Sequence, residues 1–145
     1  TYRYPKKLRS CKALAILFLM NDTTSPHILI VDDDREIRDL LARFLIKHGL
    51  RVSTAKDGVE MMSVLGEGAI DLIVLDLMMP GEDGLVLCRR LRASSNIPII
   101  MQSAYAFEND MEAARAAGSN GFITKPINIV ELKKTISKFL PQIIW

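Results

Sequence analysis

Three short segments of almost uninterrupted hydrophobic residues stand out along the chain, at residues 27–31, 72–75 and 97–101. Continuous apolar runs, unlike alternating ones, are typical of strands that are buried on both faces of a parallel sheet. Weaker strand patterns occur at residues 51–55 and 121–124. The sequence therefore predicts five strands, three of which are covered on both sides.

Amphipathic stretches separate these strands. We predict the first helix at residues 35–48 and the last from residue 129 onward, because both stretches carry apolar residues at helical spacing. These residues are Ile37, Leu40, Leu41, Phe44 and Leu45 in the first helix, and Ile129, Leu132, Ile136 and Phe139 in the last. Three further helices are predicted at residues 58–65, 84–93 and 109–117. Five strands in alternation with five helices predict an α/β fold, a doubly wound parallel sheet with helices on both faces.

Polar side chains follow the predicted strands at their carboxyl ends, where open parallel sheets bind their ligands. They are Asp32, Asp33 and Asp34 after the first strand, Asp76 after the third, Ser103 after the fourth and Lys125 after the fifth. The carboxyl ends of parallel strands share one edge of the sheet. The sequence therefore predicts that carboxylates, a hydroxyl and an ammonium group converge at that edge.

The acids at this edge have more than one interpretation. Asp34 stands directly ahead of the first helix and is interpreted as its N-cap, whereas Asp32 and Asp33 are either turn residues or metal ligands. Asp76 follows four apolar residues, so it would be a buried, unpaired charge without a nearby cation. A divalent ion such as Mg²⁺, which prefers oxygen ligands, would offset the repulsion among these carboxylates.

A metal beside Asp76 would allow this carboxylate to take part in phosphoryl transfer. Aspartate can form an acyl phosphate while a metal and a lysine neutralise the charge on the transferred oxygens. We interpret Asp76 as the candidate nucleophile, with Lys125 and Ser103 as partners for phosphoryl oxygens. A surface lysine is the alternative for Lys125, but its position between Ile123 and Pro126 argues against it.

Four segments together resemble the receiver domain of two-component response regulators. They are ILIVDDD at 28–34, DLIVLDLMMPG at 71–81, Ser103-Ala104, and FITKP at 122–126. Each is weak by itself, but the separations of 43 residues from Asp33 to Asp76, 27 from there to Ser103 and 22 more to Lys125 place all four in register. The resemblance covers roughly residues 26–140. It implies a flavodoxin-like, five-stranded sheet with strand order 2-1-3-4-5.

The resemblance also implies a ligand set for Mg²⁺ as the cofactor. Asp33, Asp76 and the backbone carbonyl of Met78 would bind the ion, and Asp32 would hold water in its outer shell. Asp76, Lys125 and Ser103 would be the residues that carry out phosphorylation.

In functional terms, the resemblance implies a phosphoacceptor in a two-component phosphorelay. Asp76 would take a phosphoryl group from the phosphohistidine of a sensor histidine kinase or a histidine phosphotransfer protein, and the domain would catalyse only its own phosphorylation and dephosphorylation. Lys125 would contact the phosphoryl group, and its peptide bond to Pro126 would be cis. Ser103 and Phe122 occupy the positions of the family's switch pair, which would alter the surface of the fourth helix, fifth strand and fifth helix. Homodimer formation on phosphorylation is a further implied outcome.

Charge divides the chain into two unlike parts. Residues 1–20 hold five basic residues and no acid, which leaves 14 basic against 17 acidic residues in the remainder, although the whole chain has a formal net charge of +2. The remainder is therefore not expected to bind nucleic acid directly. We predict a basic arm at residues 1–25, a receiver domain at 26–140 and a tail at 141–145.

The two cysteines and the apolar stretch at residues 13–20 do not predict a secreted or membrane protein. Cys88 falls between Leu85 and Leu91 at helical spacing, where a small buried hydrophobe fits, and a disulfide with Cys11 is not expected. The apolar stretch is too short to span a bilayer. A cytoplasmic location is therefore expected.

Several alternatives remain open at this point. Residues 76–100 resemble receivers of winged-helix transcription factors, whereas residues 103–140 resemble receivers attached to hybrid histidine kinases, so a chimera of two subfamilies is one alternative. A haloacid dehalogenase phosphatase also uses an Asp nucleophile and Mg²⁺, but it carries its acids as Asp-x-Asp on one strand. A flavodoxin-like binder would need a phosphate loop rich in glycine or hydroxyls, which the sequence lacks. A receiver that has lost phosphorylation would not be expected to keep the full residue set.

Overall fold

The computed structural model describes residues 25–105 and 107–145. Of the predicted arm at residues 1–25, only Ser25 falls within this part of the chain, and Cys11 lies outside it. Within the described residues, no helix is both long enough and apolar enough to cross a membrane.

Five parallel strands form the main sheet, and five helices connect or follow them. The strands are β1 (His27–Val31), β2 (Arg51–Ala55), β3 (Leu72–Asp76), β4 (Ile99–Ser103) and β5 (Gly121–Thr124). The helices are α1 (Arg35–Lys47), α2 (Gly58–Glu67), α3 (Gly84–Ser94), α4 (Glu108–Ala116) and α5 (Ile129–Phe139). The strand order is β2-β1-β3-β4-β5, which confirms the predicted topology.

The hydrophobic residues of the strands divide between two cores, one on each face of the sheet. One core joins Ile30, Val74 and their same-face neighbours to residues of α1 and α5, such as Leu41 and Ile136. The other core joins the alternate strand residues to α2, α3 and α4, and it includes the buried thiol of Cys88. Because successive residues of a strand point to opposite faces, a strand covered on both sides needs an uninterrupted apolar run.

Local chemistry sets the ends of the first helix as the sequence predicts. The Asp34 carboxylate accepts hydrogen bonds from the backbone N–H groups of Glu36 and Ile37, so Asp34 is the N-cap of α1. After the helix, Gly49 has a φ of 82°, a left-handed conformation that glycine adopts without a steric penalty.

The fourth strand differs from its predicted bounds of 97–101. It begins after Pro98, which has no N–H to donate to a neighbouring strand, and it continues through the polar residues Gln102 and Ser103. The backbone carbonyl of Gln102 accepts a hydrogen bond from the N–H of Leu77 at 2.8 Å. Backbone pairing thus extends the strand beyond its apolar residues and brings Gln102 into the sheet.

Two features after β3 and α5 were not predicted. A small antiparallel ribbon joins Met78–Met79 to Glu82–Asp83, between β3 and α3. At the end of the chain, the Trp145 ring stacks on Phe44 of α1, and its Nε1 donates to the Ser137 hydroxyl of α5 at 2.7 Å. The final residue therefore packs across the two helices of one face.

Candidate functional site

The predicted acids meet at the carboxyl edge of the sheet. Asp32, Asp33 and Asp76 each offer a carboxylate oxygen, and these atoms all lie within 4.8 Å of one another. Asp32 and Asp76 are buried, whereas Asp33 is exposed to solvent. The structure therefore places three of the predicted metal-binding carboxylates in one cluster, with solvent access on the side of Asp33.

Lys125 lies against the two buried acids. Its ammonium nitrogen is 3.0 Å from Oδ2 of Asp32 and 3.3 Å from Oδ2 of Asp76. The backbone N–H of Lys125 donates to the carbonyl of Ser103, and the Lys125–Pro126 peptide bond is cis, as the resemblance implies. A buried charge is costly unless it is paired, and this ammonium is the cation that Asp76 requires.

Burial governs the ionisation of Asp76. The pKa of the Asp76 carboxyl is raised from 3.8 to about 6, mainly by burial and next by the Asp32 charge, although Lys125 and the N–H of Met78 partly counteract the rise. Burial alone would lower the pKa of Lys125, but the hydrogen bond that its ammonium donates to Asp32 and the charges of Asp76 and Asp32 raise it above its ordinary value. The ammonium is therefore retained at physiological pH.

Ser103, Met78 and Phe122 lie around this cluster. Ser103 is fully buried, and its hydroxyl accepts a hydrogen bond from the N–H of Tyr105 at 3.2 Å. The N–H of Met78 donates to Oδ1 of Asp76 at 3.3 Å, and the Met78 side chain is exposed. Phe122 is half-buried and packs against the core beneath α2, α3 and α4.

Two residues that contact Asp32 were missed in the sequence. Gln102 donates from Nε2 to Oδ2 of Asp32 at 2.8 Å, and Arg38 donates from a terminal nitrogen to the Asp32 backbone carbonyl at 2.7 Å. The available signal for Gln102 was an amide directly after the apolar run at residues 97–101. Arg38 gave no such signal, because an arginine on an amphipathic helix is ordinarily a solvent-exposed residue.

The family model described as "Response regulator receiver domain" matches residues 28–137 of this chain. The chain belongs to the response regulator receiver domain family. A receiver domain is a signalling module, and the acidic cluster described above is a site that could hold a metal.

Three comparisons with known proteins show what this chain is similar to. Protein PetR of Rhodobacter capsulatus is 39% identical over 124 residues, which cover 86% of this chain and 52% of PetR. The uncharacterized transcriptional regulatory protein YrkP of Bacillus subtilis is 39% identical over 106 residues, which cover 73% of this chain and 46% of YrkP. The chain thus spans about half the length of these curated relatives.

The third is a co-crystal structure from Saccharomyces cerevisiae. It contains the histidine phosphotransfer signaling protein Ypd1 and the receiver domain of its downstream response regulator Ssk1. The match has a TM-score of 0.75 and 27% identity, and it covers 83% of this chain and 92% of the other.

The raised pKa of Asp76 predicts a pH-dependent cost to stability in metal-free buffer. Because the pKa in the folded state lies above the ordinary value of 3.8, the contribution of Asp76 is fully favourable below that pH and is lost as the pH rises through about 6. At pH 7.5, Asp76→Asn is therefore expected to increase the free energy of unfolding by roughly 1–3 kcal/mol. Urea unfolding with a chelator present, from pH 4 to pH 8, measures this difference.

The difference between Asp76→Asn and the unmodified protein should shrink toward pH 4. Asp39→Asn is the matched control, because Asp39 is exposed and its one ion pair within residues 25–105 and 107–145 is with the exposed Arg35. A difference that stays constant across this pH range would contradict the prediction.

Proposed function

We propose that this receiver domain is a phosphoacceptor in a two-component phosphorelay and that Asp76 takes the phosphoryl group from a phosphohistidine. The observation that carries the proposal is the Lys125 ammonium 3.3 Å from Oδ2 of the buried Asp76, within a cluster of three carboxylates. An acid that is buried beside a fixed ammonium and two further acids is suited to receive a charged group rather than to stabilise the fold.

The transfer exchanges one bond for another. A carboxylate oxygen of Asp76 attacks phosphorus, the bond between phosphorus and the histidine nitrogen breaks, and that nitrogen keeps the electron pair and takes a proton. The products are an aspartyl phosphate and a neutral histidine. Lys125 neutralises charge on the transferred oxygens, and it is already positioned to do so by its contact with Asp76.

The donor set of the cluster fits a hard divalent ion such as Mg²⁺, because each side chain offers a carboxylate oxygen. Asp33 is exposed and Asp76 lies beside it, so we assign both as direct ligands, together with the Met78 carbonyl that the family resemblance implies. Both carboxylate oxygens of Asp32 already accept hydrogen bonds within the protein, which suits an outer role. When bound, the ion would supply positive charge next to the transferred oxygens.

The phosphoryl donor is proposed to be a sensor histidine kinase or a histidine phosphotransfer protein. The co-crystal structure of Ypd1 with the Ssk1 receiver supports the second type of donor, because the Ssk1 receiver is structurally similar to this chain. The binding of Ypd1 itself is a property of Ssk1. YrkP is described as a transcriptional regulatory protein, so DNA binding in a full-length relative would lie outside the matched half. A cytoplasmic location and a homodimer formed on phosphorylation remain predictions.

We further propose that Ser103 and Phe122 transmit phosphorylation to the surface of α4, β5 and α5. Phe122 pairs in register with Met101, two residues before Ser103, so both project on the same side of the sheet. A phosphoryl group on Asp76 adds charge and acceptor oxygens, which would draw the Ser103 hydroxyl away from Tyr105. The half-buried Phe122 ring would then turn inward.

Phosphorylation is expected to require Asp76. Incubation with acetyl phosphate and Mg²⁺ should add one phosphoryl group by intact mass, and Asp76→Asn should abolish the addition because the nucleophile is gone. Asp71→Asn, at the residue directly before the first residue of β3, should leave phosphorylation unchanged. Equal phosphorylation of the Asp76 variant would move the site elsewhere.

Metal binding is expected before phosphorylation, because the three acids repel one another. The melting temperature should rise with Mg²⁺ concentration, and Asp33→Ala should largely remove that dependence. Asp34→Ala removes the adjacent helix cap and should lower the melting temperature while preserving the dependence on Mg²⁺. If Asp33→Ala keeps the full dependence, Asp33 is not a ligand.

The switch proposal is tested by amide NMR of the free and beryllofluoride-bound forms. Shifts are expected to extend beyond the site into α4 and β5, because Ser103 and Phe122 connect them to Asp76. In Ser103→Ala, the shifts should be confined to residues around Asp76, since this variant lacks the hydroxyl that is proposed to move toward the phosphoryl group. Shifts confined in this way in the unmodified protein would refute the proposal.

A further inference from the structure

Gln102 is a fully buried polar residue in the last part of β4, next to the proposed phosphorylation site. In the sheet register it pairs with Asp76 of β3, while Val31, the residue before Asp32, pairs with Leu75. Asp32, Asp76 and Gln102 therefore form a row across three strands. Nε2 of Gln102 reaches across this row to Oδ2 of Asp32 at 2.8 Å.

The side-chain carboxylate of Asp32 accepts hydrogen bonds from three donors among the described residues. Its Oδ1 accepts from the backbone N–H of Asp34 at 2.8 Å, and its Oδ2 accepts from both Gln102 and the Lys125 ammonium. Gln102 and Lys125 thus share one oxygen of a carboxylate that has no exposure to solvent. The same ammonium also contacts Asp76, so the donor that Gln102 supplies determines how strongly Asp32 competes for Lys125.

Gln102 is a poor choice for packing alone. The preceding strand residues Ile99, Ile100 and Met101 are all apolar and fully buried. Oε1 of Gln102 is buried and has no hydrogen-bond partner within the described residues, a condition that ordinarily costs stability. The side-chain amide of Gln102 therefore donates one charge-assisted hydrogen bond to Asp32 but leaves its own oxygen, Oε1, without a partner within the described residues.

We propose that Gln102 is a positioning residue of the phosphorylation site, which donates to Asp32 and thereby leaves the Lys125 ammonium free to follow oxygens on Asp76. The inference rests on the proposed function. Without Gln102, Lys125 becomes the main side-chain donor to Asp32 and is held there more firmly. It then stabilises the transferred phosphoryl group less well.

The test is the rate of phosphorylation by acetyl phosphate at saturating Mg²⁺ in Gln102→Met, which keeps the length of the side chain and removes its donor. The maximal rate is expected to fall about tenfold, the effect of losing one hydrogen bond to a charged group. The melting temperature should not fall in proportion, because the unpaired acceptor is removed as well. The Mg²⁺ affinity from thermal titration should change by much less than the rate, since the side-chain hydrogen bond of Gln102 goes to Asp32 and not to the proposed direct ligands Asp33 and Asp76.

Gln142→Met makes the same chemical change at an exposed position near the end of the chain and should leave all three quantities unchanged. Gln102→Leu provides a second apolar variant if methionine packs poorly. Rates equal to the unmodified protein in both variants would overturn the inference. So would failure of both to fold, or a parallel fall in rate, affinity and melting temperature, because the amide would then serve the fold. An unmodified protein that accepts no phosphoryl group would instead refute the proposed function.

Discussion

The ammonium group of Lys125 is the interaction on which the carboxyl edge of this sheet depends. Two carboxylates, Asp32 and Asp76, are buried there, and a buried charge is costly unless it is paired. Lys125 lies within 3.0 Å of one and 3.3 Å of the other. It therefore ties the ends of β1 and β3 to the residue that follows β5. A site with this balance of charge is sensitive to any group that adds negative oxygens near Asp76.

Residues at this edge of the sheet alternate between the two cores, one on each face. Asp32, Asp76 and Gln102 form a row on the edge and continue the alternation of residues that pack beneath α1 and α5. Met101 and Phe122 belong to the opposite core, beneath α2, α3 and α4, and Ser103 follows in the same alternation. Strand β4 therefore contributes Gln102 to the charged row and Met101 and Ser103 to the opposite face of the sheet. This juxtaposition is the physical basis for proposing that phosphorylation alters the surface near α4.

Membership of the receiver family settles the type of domain, whereas the wider protein context is inferred. The family model matches residues 28–137, and the chain spans about half the length of the curated relatives it matches. The surface of α4, β5 and α5 is proposed both to change on phosphorylation and to be the contact through which the signal leaves this domain.

The sequence by itself determined the order and topology of the main elements. Strands buried on both faces need continuous apolar runs, Asp34 is a helix cap that acts over two or three residues, and the carboxyl ends of parallel strands share one edge. These local and topological rules place Asp32, Asp33, Asp76, Ser103 and Lys125 at one edge. Only the tertiary structure decided that Asp32 is enclosed by donors while Asp33 is exposed, and that Gln102 reaches Asp32 from 70 residues away. Such contacts depend on which residues meet across neighbouring strands and on the conformation of each side chain, and these are decided only when the strands and helices pack together.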